Sequence, residues 1–166
     1  MNRVQAAIEY LKEQQLRLTT AESCTAGLIV SLLSEVPGSG SLIESGYVVY
    51  SPEAKQRLLQ VSAYTIDTFN LTSVEVAREM ALGALRDSPA SVAVATTGIL
   101  GPDSIDGIAP GTVCFGWGFQ LGQERFVFTR RHRFFGSREQ VQREASLHAL
   151  EHIKVFHQRA LNGERA

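Results

Sequence analysis

Apolar residues in the first segment of the chain recur with the period of an α-helix. Val4, Ile8 and Leu11 fall on one face of such a helix, so residues 2–15 are predicted to form an amphipathic helix. Residues 16–21 alternate at every second position and contain two β-branched threonines. That pattern is typical of a short strand.

The next residues, 25–59, are predicted to form a helix, a strand and a second helix. A helix is predicted over residues 25–34, with Thr25 as its N-cap, because threonine side chains accept hydrogen bonds from the first turn of a helix. Residues 42–51 resemble a strand. Ser51 and Pro52 then have the residue types favoured at the cap and at the first position of the following helix.

The second half of the chain adds three strands between two longer helices. The helices are predicted over residues 72–86 and 136–159, and residues 91–98 form a nearly continuous apolar run that suits a strand buried on both faces. The segments GTVCFGWGF and ERFVFTRRHRFF, joined by QLGQ, predict a hairpin, with Trp117 in the core. Helices interleaved with strands predict an α/β fold, a three-layer α/β/α sandwich with a mixed sheet.

Length and composition are those of a globular enzyme or binding protein. The 166 residues suffice for one domain, 1–166, and the hydrophobic fraction of 44% is ordinary for a soluble protein. No apolar run approaches the roughly 20 residues that span a bilayer. Because the N-terminus also lacks a signal peptide's apolar centre, we expect a cytoplasmic protein with no membrane partner.

Net charge, cysteine content and missing motifs argue against nucleic acid, metal and cofactor binding. The net charge of −1 provides no basic field for nucleic acid, and the one basic run, TRRHRFF, is expected to be a solvated strand face or an anion contact. Cys24 and Cys114 belong to no metal-binding motif, so we expect neither zinc nor a disulfide framework. There is no Walker loop and no dinucleotide-binding glycine motif, and no cofactor is expected.

Reactive side chains are concentrated in the first strand-to-helix turn, in the sequence ESCT. Ser23 would lie there among the free N–H groups at the positive end of a helix dipole. That setting binds an anion or stabilises an oxyanion. A lone serine at such a turn is usually a cap residue, so Ser23 needs a partner before it becomes a candidate nucleophile.

The segment YSPEAK supplies that candidate partner. Tyr50 is expected at the end of a strand and Lys55 in the first turn of the next helix. An exposed lysine there would extend into water. A partly desolvated lysine would have a lowered pKa and would act as a base, which a serine hydroxyl requires, and a tyrosine hydroxyl would orient or relay the proton.

A glycine- and proline-rich segment, TTGILGPDSIDGIAPGTV, follows the predicted central strand and carries Asp103 and Asp106. A loop of this length after a central strand is often functional. Ligands in open α/β sheets bind beyond the carboxyl ends of the strands. The segment is therefore a candidate wall of a binding site.

Cys24 is the alternative nucleophile, because a helix N-terminus lowers the pKa of a thiol. A cysteine enzyme would need a histidine. His148, His152 and His157 all fall on the predicted closing helix, where we expect packing or surface residues. A serine nucleophile is therefore favoured.

Several motifs stand together in the order that is typical of one family. They are TTAESCTAG, PGSGS, GYVVYSPEAK, VAREMALGAL, TTGILGP and GTV, and they resemble the C-terminal domain of the competence-damage-inducible (CinA) protein family over nearly the whole chain. Stand-alone members of that family are nicotinamide-nucleotide amidohydrolases. The resemblance implies metal-free hydrolysis of nicotinamide mononucleotide, a small-molecule substrate, to nicotinate mononucleotide and ammonia, and it implies a homo-oligomer.

The resemblance also implies roles for individual residues. The family's serine, tyrosine and lysine fall on Ser23, Tyr50 and Lys55, which implies a nucleophile and its base. Backbone N–H groups of residues 25–27 or 97–101 would hold the oxyanion, and an arginine near the last helix would bind the phosphate. The implied substrate-binding residues are Thr25, Gly27, Thr97, Gly98, Gly101, Arg138 and Arg143.

Two segments depart from the family's pattern. Ala26 stands where the family has a glycine, and residues 103–110 form a shorter loop with Ala109 in place of a lysine. Ile105 and Ile108 make that loop less polar. The alternatives are therefore a catalytically silent nucleotide-binding or regulatory homologue, and an amidase for another carboxamide.

Overall fold

The computed structural model describes residues 2–165, and a five-stranded sheet forms its centre. The strands are β1 (Leu18–Glu22), β2 (Ile43–Val48), β3 (Val92–Gly98), β4 (Thr112–Leu121) and β5 (Glu124–Arg133). Their order across the sheet is β2-β1-β3-β4-β5. β1 pairs in parallel with β2 and β3, whereas β4 runs antiparallel to both β3 and β5. The sheet is mixed and the β4–β5 hairpin is present, so both predictions are confirmed.

Seven α-helices accompany the sheet within residues 2–165. They are α1 (Arg3–Glu13), α2 (Leu28–Ser34), α3 (Pro52–Leu59), α4 (Ala63–Phe69), α5 (Val74–Asp87), α6 (Arg138–Glu151) and α7 (Ile153–Leu161). A short 3-10 helix, Ser39–Leu42, follows the predicted break after α2. Ser51 accepts a hydrogen bond from the Ala54 N–H at the start of α3, as predicted for an N-cap.

Two hydrophobic cores lie on opposite faces of the sheet. Along β3, Val92 and Val94 belong to the core formed with α1, α2, α6 and α7, whereas Ala93 and Ala95 belong to the core formed with α3 and α5. This alternation follows from the two-residue period of a strand. β3 is buried on both faces, and the predicted three-layer α/β/α sandwich is confirmed.

Two helix predictions need correction. The sequence pattern did not indicate α4, because only Thr65 of this seven-residue helix is buried and no apolar stripe marks it. The closing helix is not continuous over residues 136–159, since α6 ends at Glu151 and α7 begins at Ile153, with His152 as the cap between them.

Two smaller predictions about β4 and β5 are confirmed. Trp117 is fully buried, and its indole N–H donates to the Ala149 carbonyl at 2.8 Å. The basic end of β5 is exposed, as expected for a solvated strand face. Within residues 2–165, every helix is too short or too polar to cross a bilayer.

Candidate active site

The carboxyl ends of the three parallel strands meet at one edge of the sheet. Ser23 follows β1 directly, Tyr50 lies just beyond β2, and Gly98 ends β3. A cavity of about 160 Å³ opens at this edge, and all three residues line it together with Lys55. Open α/β sheets bind their ligands at this place.

A polar contact in this cavity joins the side chains of Ser23 and Lys55. The Lys55 Nζ lies 3.0 Å from the Ser23 Oγ, 2.8 Å from the Val49 carbonyl oxygen and 3.0 Å from the Tyr50 carbonyl oxygen. Lys55 is only 1% exposed, so it does not extend into water. Burial lowers the pKa of its amine from 10.5 to about 8.

This geometry suits a base directed at the serine. A neutral amine has two N–H donors and one lone pair. With the two N–H groups donated to the Val49 and Tyr50 carbonyls, the lone pair of Lys55 faces the Ser23 hydroxyl. The amine can therefore accept the hydroxyl proton without moving, which is the arrangement that activates a serine nucleophile.

Tyr50 contacts Lys55 through its main-chain carbonyl, not through its hydroxyl. Its side chain is 59% exposed, and within residues 2–165 its hydroxyl forms no hydrogen bond. The reason is local: the chain turns into α3 directly after β2, which points the carbonyl, not the ring, at Lys55. The ring instead forms part of the cavity wall.

Glu22 organises the turn that carries Ser23. Its carboxylate is fully buried and accepts hydrogen bonds from the Thr25 hydroxyl at 2.6 Å, the Gly27 N–H at 3.1 Å and the Ile29 N–H at 3.0 Å. The Thr20 hydroxyl also donates to it, at 2.9 Å. A carboxylate at a helix N-terminus satisfies free N–H groups and complements the dipole, so Glu22 caps α2 from the preceding strand.

The role of Glu22 corrects three predictions about residues 25–27. Thr25 is not the N-cap of α2, because Gly27 holds that position in a left-handed conformation and Thr25 is buried against Glu22 and Thr96. The N–H groups of Ala26 and Gly27 donate to the Ser23 carbonyl and to Glu22. They are therefore not free to bind an oxyanion, and neither Thr25 nor Gly27 lines the cavity.

Ala26 shows why a glycine suits this turn. Its φ is 52°, in the left-handed region where a Cβ atom is strained, and Gly27 follows at a φ of 93°. Two successive left-handed residues reverse the chain between β1 and α2. The Cβ atom of Ala26 therefore strains the turn without changing its course.

Cys24 is not activated. It is 3% exposed, and burial raises the pKa of its thiol to about 12, which is the opposite of the predicted helix-terminus effect. The helix N–H groups that would stabilise a thiolate are directed at the Glu22 carboxylate instead. Cys24 thus lines the cavity as a neutral thiol.

Residues at the end of β3 form the opposite side of the cavity. Thr97 and Gly98 line it, as predicted, and the Thr97 hydroxyl donates to the Leu71 carbonyl at 2.9 Å. A Cβ atom on Gly98 would lie 2.6 Å from the Thr112 carbonyl oxygen, so only glycine fits there. Ile105 and Ile108 pair through their backbones and supply an apolar wall.

A second cavity of about 350 Å³ continues the first, with which it shares Tyr50, Gly98, Ile99 and Ile105. Gly101 and Arg138 line its far end, and the Arg138 guanidinium donates to the Gly101 carbonyl. The two cavities form one groove from Ser23 to Arg138.

Arg143 does not belong to this groove. It lines a separate cleft beside Arg3, Leu32 and Glu35. One and a half turns of α6 separate Arg143 from Arg138, which directs the two side chains to different faces of the helix. Of the two candidate arginines, only Arg138 is at the site.

Sequence reasoning missed two polar residues of the first cavity, Asn70 and Thr72. Both lie between α4 and α5. Because α4 was not predicted, nothing in the sequence pattern indicated that this short polar segment turns back towards Ser23. Within the described residues 2–165, no group of three or more His, Cys, Asp or Glu side chains is placed to hold a metal ion.

Comparisons with known proteins identify the family of this chain. The family model described as the CinA C-terminal domain matches residues 2–156. A nicotinamide-nucleotide amidohydrolase, PncC, of Enterobacter agglomerans is 40% identical over 142 residues, which cover 85% of each chain. A CinA-like protein of Chlorobium limicola is 39% identical over 157 residues, and the chain spans only 37% of the length of that relative.

A solved structure shows the same fold. The competence/damage-inducible protein CihA of Agrobacterium tumefaciens superposes with a TM-score of 0.85 at 32% sequence identity, over 92% of each chain. The resemblance in sequence therefore extends to the whole arrangement of strands and helices.

Proposed function

The chain belongs to the CinA C-terminal domain family, and from this premise we propose that it hydrolyses the carboxamide of nicotinamide mononucleotide to nicotinate mononucleotide and ammonia. The reaction needs no metal and no cofactor. The observation that carries the proposal is the 3.0 Å contact between the Ser23 Oγ and the buried Lys55 Nζ. The amidohydrolase name of the relative that matches over 85% of each chain supports the choice of substrate.

The first half of the reaction forms an acyl-enzyme. Lys55 accepts the hydroxyl proton of Ser23, and the Ser23 Oγ attacks the carboxamide carbon. The C–N bond then breaks, and the protonated Lys55 gives its proton to the leaving nitrogen, which departs as ammonia. The buried amine suits both steps, because a pKa of about 8 lets it gain and lose a proton near neutral pH.

The second half consumes one water molecule. Lys55 takes a proton from water, the resulting hydroxide attacks the acyl carbon, and the ester bond to Ser23 breaks. The proton returns to the Ser23 Oγ, which restores the enzyme and releases the carboxylic acid. The N–H groups of Ala26, Gly27 and Ile99 are already bonded, so within residues 97–101 the N–H groups of Leu100 and Gly101 take the oxyanion role.

The groove has the form that a mononucleotide requires. The smaller cavity, at Ser23, takes the carboxamide-bearing ring between the exposed Tyr50 side chain and Ile105. The larger cavity takes the ribose and phosphate, with Arg138 at its far end. A guanidinium group binds a phosphate through two parallel hydrogen bonds, which supports Arg138 as the phosphate ligand.

The lowered pKa of Lys55 predicts a pH dependence. The active form carries the neutral amine, which is the minor form below a pKa of about 8 and the major form above it. We therefore expect kcat/KM for nicotinamide mononucleotide to rise about tenfold between pH 7 and pH 9 and then to level off. Initial rates across this range test it, and a flat profile would contradict the role of Lys55 as the base.

The two arginines of α6 predict a matched pair of variants. Arg138→Ala is expected to raise the KM for nicotinamide mononucleotide about 10- to 100-fold, because a charge-assisted contact with the phosphate is lost. Arg143→Ala is the control and is expected to leave KM unchanged, since Arg143 lies in another cleft. The effect of Arg138→Ala should also disappear with nicotinamide riboside, which has no phosphate. An equal loss with both substrates would refute a phosphate contact.

The function itself is tested by product analysis. Purified protein incubated with nicotinamide mononucleotide should release ammonia and nicotinate mononucleotide in equal amounts, and a chelator should not reduce the rate. If folded protein hydrolyses another carboxamide and not nicotinamide mononucleotide, the apolar wall formed by Ile105 and Ile108 selects a different substrate. If it binds the nucleotide without turnover, the chain is a binding homologue.

A further inference from the structure

Two polar residues line the cavity that contains Ser23 and have no part in the proposed proton transfers. Asn70 and Thr72 line the same 160 Å³ cavity as Ser23 and Lys55. Neither side chain hydrogen-bonds to any other group within residues 2–165. Because every fully buried polar side-chain atom of the described residues has a partner, the unpaired Thr72 hydroxyl is at least partly accessible, although Thr72 as a whole is only 7% exposed.

The backbone around these side chains is firmly held. The Leu71 carbonyl, between them, accepts the Thr97 hydroxyl from β3 at 2.9 Å. The Asn70 carbonyl accepts the Ser73 hydroxyl at 2.8 Å, and the Ser73 hydroxyl in turn caps α5. Asn70 and Thr72 are thus fixed to the sheet and to a long helix, as residues that select a ligand must be.

The strained backbone conformation of Asn70 indicates a functional role for its side chain. Its φ is 74° and its ψ is 164°, a region that essentially only glycine adopts without strain. A glycine would fit the backbone better. Strain of this kind at a binding cavity points to a functional requirement for the side chain that causes it.

We propose that Asn70 and Thr72 form the carboxamide-recognition element of the cavity and make a primary amide, not the corresponding acid, its preferred ligand. This inference rests on the proposed function, since it takes the amide of nicotinamide mononucleotide as the ligand. The Asn70 side chain presents one acceptor and two donors, which complement the donors and the acceptor of a primary amide. The Thr72 hydroxyl provides one further hydrogen bond, as a donor or as an acceptor.

The chemistry separates substrate from product. A primary amide donates two hydrogens, whereas a carboxylate only accepts. A primary amide pairs with both the Oδ1 acceptor and the Nδ2 donors of Asn70, whereas a carboxylate pairs with the Nδ2 donors alone and leaves the Oδ1 unpaired. A site built around hydrogen bonds rejects a ligand that leaves its polar groups unpaired. The element therefore orients the carboxamide carbon towards Ser23 and favours release of the acid.

Binding to the Ser23→Ala protein tests the inference without turnover. In that background, Asn70→Gly should weaken the affinity for nicotinamide mononucleotide about tenfold and the affinity for nicotinate mononucleotide much less. Asn70→Asp should weaken binding of the acid more than binding of the amide, because two carboxylates repel. Thr72→Val should weaken amide binding, whereas Thr72→Ser, which keeps the hydroxyl, should bind the amide like the wild type. Thr68→Val, at an exposed position of α4, is the control and should leave both affinities unchanged.

Thermal denaturation separates recognition from a structural role. Asn70→Gly should leave the Tm unchanged or raise it by about 2–4 °C, because the strained conformation is relieved. A loss of amide affinity without a loss of stability is the expected result. Equal losses for amide and acid, a fall in Tm that accounts for the loss of binding, or no binding of either nucleotide would overturn the inference. Amide-selective binding by Ser23→Ala protein whose wild type releases no ammonia would refute the proposed function alone.

Discussion

Replacing Lys55 with methionine is expected to abolish amide hydrolysis, with kcat lower by about 10³-fold or more. Methionine has a similar length and fits an apolar surrounding, but it has no lone pair basic enough to take the Ser23 proton. The buried amine also carries protons to the leaving nitrogen and from water, so both halves of the reaction lose their proton carrier. The measurement is steady-state release of ammonia from nicotinamide mononucleotide at pH 9.

A matched lysine serves as the control for this variant. Lys12→Met, on the exposed face of α1, should retain wild-type kcat. The KM of Lys55→Met, or its Kd where turnover is too slow, should change little, because Lys55 contacts Ser23 and two carbonyls and not the phosphate end of the groove. Activity within tenfold of the wild type would show that another group is the base.

Replacing Glu22 with alanine is expected to lower both stability and kcat. The free energy of unfolding should fall by about 3 kcal/mol or more, because the N–H groups of Gly27 and Ile29 and the hydroxyl of Thr25 lose a charged acceptor inside the protein. In a chain of this length the Tm should fall by about 6–12 °C. Urea denaturation and calorimetry measure these quantities.

Glu22 acts on catalysis by positioning Ser23. The remaining folded fraction of Glu22→Ala should therefore show a lower kcat with a nearly unchanged KM. Glu22→Gln, which keeps one acceptor oxygen, should lie between Glu22→Ala and the wild type. Glu35→Ala, an exposed carboxylate at the end of α2, is the control and should change stability by no more than about 0.5 kcal/mol. An unchanged kcat per folded molecule would limit Glu22 to a structural role.

The strands, and the residues Ser23 and Lys55 that lie together in the first cavity, were accessible from the sequence for a physical reason. β3 is a continuous apolar run because both faces are buried, and Ser51 with Pro52 marks the start of α3. These local signals place Ser23 after β1 and Lys55 after β2, and the structure shows that these two strands are neighbours. The 3.0 Å contact between them is what the resemblance implied for a nucleophile and its base.

The errors arose where a distant partner decides the local structure. Thr25 has the residue type of an N-cap, but the Glu22 carboxylate reaches the same N–H groups with a full charge and displaces it. The Tyr50 carbonyl, which the sequence pattern did not single out, accepts a hydrogen bond from Lys55. Asn70 and Thr72 reach the cavity only because α4, a helix without an apolar stripe, turns the chain back to the sheet.

The central claim is that Ser23 is the nucleophile of an amide hydrolysis. The most direct test is release of ammonia from nicotinamide mononucleotide by the wild type and by Ser23→Ala, with folding of both confirmed by calorimetry. We expect ammonia and nicotinate mononucleotide in equal amounts from the wild type, and a rate at least about 10³-fold lower from Ser23→Ala, because no acyl-enzyme can form. A Ser23→Ala protein with the wild-type rate would contradict this claim.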